Sequence, residues 1–364
     1  MSMHPAYLDP RSGDTFPIDA PRWCGNGQAP LLLTPLPGIA RDRIERATRS
    51  LWRYRAALPL PVAQPISMGE GCTPLLRRRL HGAEVHLKCE WFMPTGSFKD
   101  RGASVLLSLL REQGITAILE DSSGNGGAAI SAYAAAGGLH ATIMAPQATS
   151  PAKTVAMRAH GAAVARSEKI FYASHSWHPF FLHGTKTLAY ELWEDLGFRA
   201  PDNIIMPCGV GTNVLGCEIG FSELLRGGEI ETPPRLFAVQ PANCAPIAAT
   251  FLAGANARVA AEVKPTIAEG TAIAAPNRIP EVLGAISETG GGAVMLSEDE
   301  IRAALFDLAR IGLYVEPTAA QAAGALAKLL ASGAVTPEQT TVLVLTGSGL
   351  KATPRIAELL GVAL

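Results

Sequence analysis

Apolar residues fall along this chain in two rhythms. Short unbroken runs, such as Ile204-Ile205-Met206, alternate with longer stretches whose apolar positions recur every third or fourth residue. The first rhythm is that of a buried strand and the second that of an amphipathic helix. Strands are predicted at residues 84–88, 116–120, 141–144, 163–165, 203–206, 236–239 and 341–345. A helix is predicted over 103–112, where Val105, Leu106, Leu109 and Leu110 share a face before the stop at Gly114. Another, built from small residues, covers 128–136. A third has Ser150 as N-cap, Pro151 at its first position and Gly161 just past its end. Ser297 and Glu300 form a capping box, and Ile301, Leu305 and Leu308 line the helix that follows, up to Gly312. The alanine-rich run from Thr318 to Ala323 predicts a helix that its neighbours approach closely. The first 45 residues are rich in proline and glycine, and their one patterned piece, Ala29-Pro30-Leu31-Leu32-Leu33, suits an edge strand.

Strands separated by helices imply an α/β fold with mostly parallel sheets flanked by helices. At 364 residues the chain exceeds what one core usually holds, so two domains are expected. The pattern divides it into an N-terminal irregular segment (1–45), a larger domain (46–100 with 185–364) and a smaller mobile domain (101–184).

Composition removes several function classes. A formal net charge of -1 gives no reason to expect nucleic acid or an anionic membrane as partner, which leaves a small-molecule substrate. The six cysteines are scattered, with no C-x-x-C pair and no metal-ligand spacing, and read as reduced thiols in a cytoplasmic protein. Pro5, Asp9, Pro10, Asp14 and Pro17 interrupt the region where a signal peptide needs an unbroken apolar stretch. No segment reaches the ~20 charge-free apolar residues that span a bilayer. His175, His178 and His183 lack an acid or cysteine at metal-binding spacing, so no metal is expected.

Four separated stretches carry candidate chemistry. Pro94-Thr95-Gly96-Ser97-Phe98-Lys99-Asp100-Arg101-Gly102 sets a lysine between a tight turn and a helix start, where the backbone fixes the direction of the amine, as imine chemistry requires. Cys208-Gly209-Val210-Gly211-Thr212-Asn213 follows a buried strand, so its N–H groups can converge on an anion at a helix start. A nicotinamide site is the obvious rival there, although Val214 stands where a third glycine belongs; Asn213 stands where a Walker loop needs lysine. Ser122-Ser123-Gly124-Asn125-Gly126-Gly127 offers hydroxyls, an amide and free N–H groups between strand and helix. Thr346-Gly347-Ser348-Gly349-Leu350-Lys351 closes the last strand with a hydroxyl that can bond a ring nitrogen but cannot keep it protonated.

Together with Leu51-Trp52-Arg53-Tyr54 and Gly69-Glu70-Gly71-Cys72-Thr73-Pro74-Leu75, these stretches resemble pyridoxal-phosphate enzymes of the tryptophan-synthase-β fold (fold type II), and among them threonine synthases. The resemblance runs from about Trp52 to Lys351. It implies pyridoxal 5'-phosphate in a cleft between two domains, a homodimer, and elimination or replacement at the β or γ carbon of an amino acid. It makes Lys99 the cofactor's Schiff-base lysine and the α-proton base. Gly209, Val210, Gly211, Thr212 and Asn213 would cradle the cofactor phosphate, and Asn125 would bond its phenolic oxygen. Thr346 would meet the ring nitrogen, and Ser122, Ser123 and Gly124 would receive the substrate carboxylate.

One departure stands out. Where threonine synthases carry N-S-x-N-P-x-R, which helps to bind the phosphate of O-phosphohomoserine, this chain has His175-Ser176-Trp177-His178-Pro179-Phe180-Phe181. A phenyl ring at Phe181 cannot grip a phosphate as arginine does, so a larger or less charged substrate side chain is expected beside Ser176. His175 or His178 would then supply acid–base or hydrogen-bonding groups. An ammonia-lyase acting on serine, threonine or a diamino acid, and a β-replacement synthase resembling cysteate synthase, are the alternatives within the class. A nicotinamide oxidoreductase and a catalytically silent binding paralogue are those outside it.

Overall fold

The computed structural model describes residues 4–122, 124–144, 151–162, 170–255, 258–260 and 263–363. Ser123, Ser150 and the strand expected at 163–165 lie outside them. Three sheets organise the rest. An antiparallel sheet of β1 (Ala6–Leu8), β2 (Thr15–Pro17) and β3 (Leu32–Leu33) has the order β2-β1-β3. Residues 1–45 are thus more regular than expected, because strands of two or three residues are too short to display an alternation.

The main sheet contains β4 (Leu75–Leu80), β5 (Ala83–Cys89), β9 (Asn203–Pro207), β10 (Arg235–Pro241), β11 (Gly292–Leu296) and β12 (Thr341–Leu345), ordered β11-β10-β9-β12-β5-β4. All pairings are parallel except β4 with β5. The remaining sheet contains β6 (Ala117–Glu120), β7 (His140–Ile143) and β8 (Phe171–Tyr172), parallel in the order β7-β6-β8.

Eleven α-helices are present among the described residues. They are α1 (Lys99–Glu112), α2 (Asn125–Gly137), α3 (Pro151–Ala159), α4 (Pro179–Thr185), α5 (Thr187–Asp195) and α6 (Thr212–Arg226), then α7 (Pro246–Leu252), α8 (Ile279–Glu288), α9 (Glu298–Arg310), α10 (Pro317–Ala331) and α11 (Thr353–Leu360). The Ser297–Glu300 capping box forms at the start of α9.

The two-residue period of the central strands divides the core. Ile204, Met206, Leu236, Ala238, Val342 and Val344 face α5, α6 and α8, whereas Ile205, Phe237, Val239, Leu343 and Leu345 face α9 and α10. Both faces are covered, which is why these strands read as unbroken apolar runs. A third core joins α1 and α2 to β6 and the N-terminal sheet.

The Gly69-Glu70-Gly71-Cys72-Thr73-Pro74-Leu75 stretch is structural. Glu70 accepts from Trp52 Nε1 at 3.0 Å, Ser104 Oγ at 2.7 Å and the Tyr133 hydroxyl at 2.8 Å. Thr73 enters a buried network in which Glu191 takes Lys88 at 2.7 Å and Arg101 at 2.9 Å, while Arg101 also grips Glu90. Those cations hold the Glu191 carboxyl well below its usual range against the opposing effect of burial. Charges this deep must be mutually paired, and the network fixes the end of α1 that carries Lys99.

Candidate active site

Lys99 opens α1, and its position is set from both sides of the preceding turn. Phe98 N donates to Thr346 O at 3.1 Å, Ser348 N to Gly96 O at 3.0 Å, and Lys351 Nζ to Thr95 O at 2.8 Å. Asp100 closes the turn from inside, accepting from Thr95 N at 2.7 Å and from the Thr95 hydroxyl. Burial pushes its carboxyl up to about 7. The turn of the lysine and the end of β12, some 250 residues apart in sequence, are thereby one construction.

The Lys99 amine lies 3.4 Å from Thr212 Oγ1 and above the ring of Phe181, 5.4 Å from its centroid. Enclosure pulls its pKa down to about 8, against the opposing charge of Glu120. A neutral amine near physiological pH is what attack on an aldehyde requires.

Residues 209–213 join β9 to α6. Gly211, the residue before the helix, has φ of +93°, a left-handed conformation that glycine adopts without strain, and a Cβ there would collide with Val282. The first N–H groups of α6 therefore open on the cleft beside the lysine, with the positive end of the helix dipole behind them. Burial pushes the neighbouring Cys208 thiol up to about 12, so it stays protonated.

Three buried groups at this place have polar atoms without a hydrogen-bond partner in the protein: both side-chain atoms of Asn213, Thr346 Oγ1 and Asn125 Oδ1. Orphaned polar atoms of this kind are costly unless a ligand satisfies them.

A cleft of about 930 Å³ brings together Lys99, Ser122, Gly124, Asn125, His175, Ser176, residues 209–213 and Thr346. Two of the expected substrate groups do not line it. His178 is fully buried, caps α4 by accepting from Phe180 N at 3.2 Å, and packs among Tyr7, Phe171 and Phe180. Burial pulls its pKa down to about 3, so it is a neutral structural residue. Phe181 is also fully buried; it fills the space that Gly102 leaves open and forms the floor beneath the lysine.

Sequence reasoning missed other lining residues. Glu316, immediately before α10, receives Asn125 Nδ2 at 3.1 and 3.2 Å. The turn at Glu269, Gly270 and Thr271 and the charged pair Glu269–Arg355 form the outer wall. Glu316-Pro317 resembles an ordinary helix start, and nothing in the 269–271 segment announces chemistry.

The comparisons with known proteins decide the family. Residues 66–347 match the family described as pyridoxal-phosphate dependent enzyme. This chain belongs to that family. It is 31% identical to the threonine synthase of Methanosarcina acetivorans over 86% of this chain and 83% of the relative. The threonine synthase of Methanocaldococcus jannaschii gives the same identity and coverage. Among solved structures, an L-serine ammonia-lyase from Rhizomucor miehei aligns with a TM-score of 0.67 at 22% identity, covering 82% of this chain and 99% of that one. A threonine deaminase from Solanum lycopersicum aligns at 0.66 and 21%. These likenesses show the fold, which is that of fold type II pyridoxal-phosphate enzymes. The chain is thus a threonine synthase-like pyridoxal-phosphate enzyme, and a nicotinamide site at Gly209 is set aside.

The cleft suits the family's cofactor. The α6 N-terminus offers donors to its phosphate, the lowered pKa of Lys99 suits its aldehyde, and the orphaned hydroxyl of Thr346 suits a ring nitrogen. As a hydroxyl, Thr346 can bond that nitrogen without charging it.

Proposed function

We propose that this chain eliminates or replaces a substituent at the β or γ carbon of a small amino acid whose side chain carries no phosphate. The observation that carries the reading is the Lys99 amine beside the N-terminus of α6, with the unsatisfied polar atoms of Asn213 and Thr346 in the same cleft. Bound pyridoxal 5'-phosphate supplies the electron sink for substrate C–H cleavage. Every other role falls to the protein. Gly209, Val210, Gly211, Thr212 and Asn213 hold the phosphate, Asn125 holds the phenolic oxygen under the control of Glu316, and Thr346 orients the ring. Ser122 and Gly124, with Ser123 between them, receive the substrate carboxylate. Lys99, once released from the aldehyde, takes the α-proton.

Position 181 supports an unphosphorylated substrate, because its buried phenyl ring offers a phosphate no cation. As part of the same proposal the enzyme is a cytoplasmic homodimer, residues 101–184 form its smaller mobile domain, and a Schiff base to Lys99 anchors the cofactor.

Titrating the cofactor-loaded protein with an amino-acid panel that includes O-phosphohomoserine, and following the cofactor absorbance and 2-oxo-acid release, tests the reading. Spectral change and product are expected from unphosphorylated β-substituted amino acids. Tight binding of O-phosphohomoserine with release of threonine would overturn the substrate assignment.

A further inference from the structure

His175 is built into the cleft by a partner that sequence reasoning did not find. Glu120, the last residue of β6, is fully buried and gives both carboxylate oxygens to this one residue: Oε1 to the ring Nδ1 at 2.8 Å and Oε2 to the backbone N–H at 2.9 Å. The ring is wedged between two parts of the site. On one side it meets Phe181, with centroids 5.4 Å apart, the same ring over which the Lys99 amine sits. On the other it presses on the Asn125–Gly126 turn so closely that a Cβ on Gly126 would lie 2.8 Å from its Cε1 and Nδ1. With Nδ1 held against that carboxylate, Nε2 is the ring nitrogen left for the cleft that His175 lines.

We propose that His175, positioned by Glu120, is the acid that protonates the departing group at the substrate's β carbon. The inference rests on the elimination chemistry proposed above. It also joins two departures from the threonine-synthase run into one change of leaving group. A phosphate departs as a stable anion and needs a cation to bind it. A hydroxyl departs only with a proton and needs an acid. This chain has lost the arginine that serves the first and has gained, where the related run carries asparagine, a histidine that serves the second.

The step balances. Lys99 takes the α-proton, and the C–H electron pair ends in the new Cα=Cβ bond. The Cβ–O pair leaves on oxygen, which takes the Nε2 proton and departs as water. The imidazole gives up that proton and regains one from solvent. The substrate class is a β-hydroxy or similarly poorly leaving amino acid.

The test compares serine, whose hydroxyl needs the proton, with β-chloroalanine, whose chloride does not. His175→Asn is expected to lose ~10²–10⁴-fold in kcat with serine, a loss at least about 100-fold larger than with β-chloroalanine. Glu120→Gln, a positioning variant, should show the same selective loss in weaker form. A purely structural role would depress both substrates alike, and equal losses overturn the inference alone. Nitrogen NMR of the histidine rings in the cofactor-free protein, with His175 assigned by its absence from His175→Asn, supplies a readout independent of turnover. When the ring is neutral its proton is expected on Nδ1, facing Glu120; a neutral ring protonated only at Nε2 overturns the inference. Cofactor-loaded wild-type protein that releases no keto acid from either amino acid overturns the proposed reaction and this step with it.

Discussion

Replacing Thr346 by valine separates what the hydroxyl does for the cofactor from what it does for the fold. The two side chains have nearly the same shape, so the change removes one polar atom from a residue that is almost fully buried. That atom has no partner in the protein. A buried hydroxyl left unbonded costs ~1–3 kcal/mol, so Thr346→Val should stabilise the cofactor-free protein by about 1 kcal/mol. When the cofactor binds, the hydroxyl gains an acceptor. The complex then loses a hydrogen bond of ~0.5–1.5 kcal/mol while the cofactor-free variant has gained about 1 kcal/mol, so binding weakens by the sum, ~1.5–2.5 kcal/mol or roughly 10- to 70-fold. The two effects have opposite signs, which a general disturbance of packing would not produce. Urea unfolding of the cofactor-free proteins measures the first, and absorbance titration with pyridoxal phosphate the second. A variant that is less stable without cofactor, or that binds it as tightly as wild type, would refute the assignment of Thr346 to the ring nitrogen.

Two further outcomes follow from the same geometry. Gly211→Ala forces a side chain onto a left-handed residue and into Val282, so it should destabilise the protein by ~2–4 kcal/mol and impair cofactor retention, whereas Gly228→Ala, equally left-handed but in open space, should cost only ~1–2 kcal/mol; equal unfolding midpoints would contradict this. Lys99 is less basic when folded, about 8 against 10.5, so the stability tied to it is full above the unfolded value and lost as pH falls through about 8. Cofactor-free Lys99→Met should accordingly be more stable than wild type at pH 7, with the gap closing towards pH 10, and cofactor capture by wild type should rise with a midpoint near 8; a gap that does not vary with pH would contradict it.

The parts of the fold legible in the sequence were those with a physical reason to repeat. Strands β9, β10 and β12 are covered on both faces, so they appear as continuous apolar runs, and the capping box before α9 is a local device. Five strands escaped, among them β11, which begins directly after Gly290-Gly291. β1 and β2 have three residues each, β8 has two, and the middle of β4 is Arg77-Arg78-Arg79, an edge strand that faces solvent. The site was legible where a loop joins a strand to a helix, because glycine and hydroxyl residues gather there for backbone reasons that a ligand exploits. Direction was not legible. His175 and His178 stand three residues apart, yet one reaches the cleft and the other caps its own helix, a distinction made by Glu120 and Tyr7 from remote parts of the chain. Glu316 escaped for the same reason, since its partner Asn125 lies 191 residues away.

The claim on which the account depends is that the amine of Lys99 holds the cofactor in this cleft. Borohydride reduction of the cofactor-loaded protein, followed by peptide mass spectrometry, examines it most directly. The account predicts the pyridoxyl mass on the peptide containing Lys99, and no such adduct or near-visible absorbance in Lys99→Ala. An adduct on another lysine, or an unchanged absorbance band in Lys99→Ala, would contradict it.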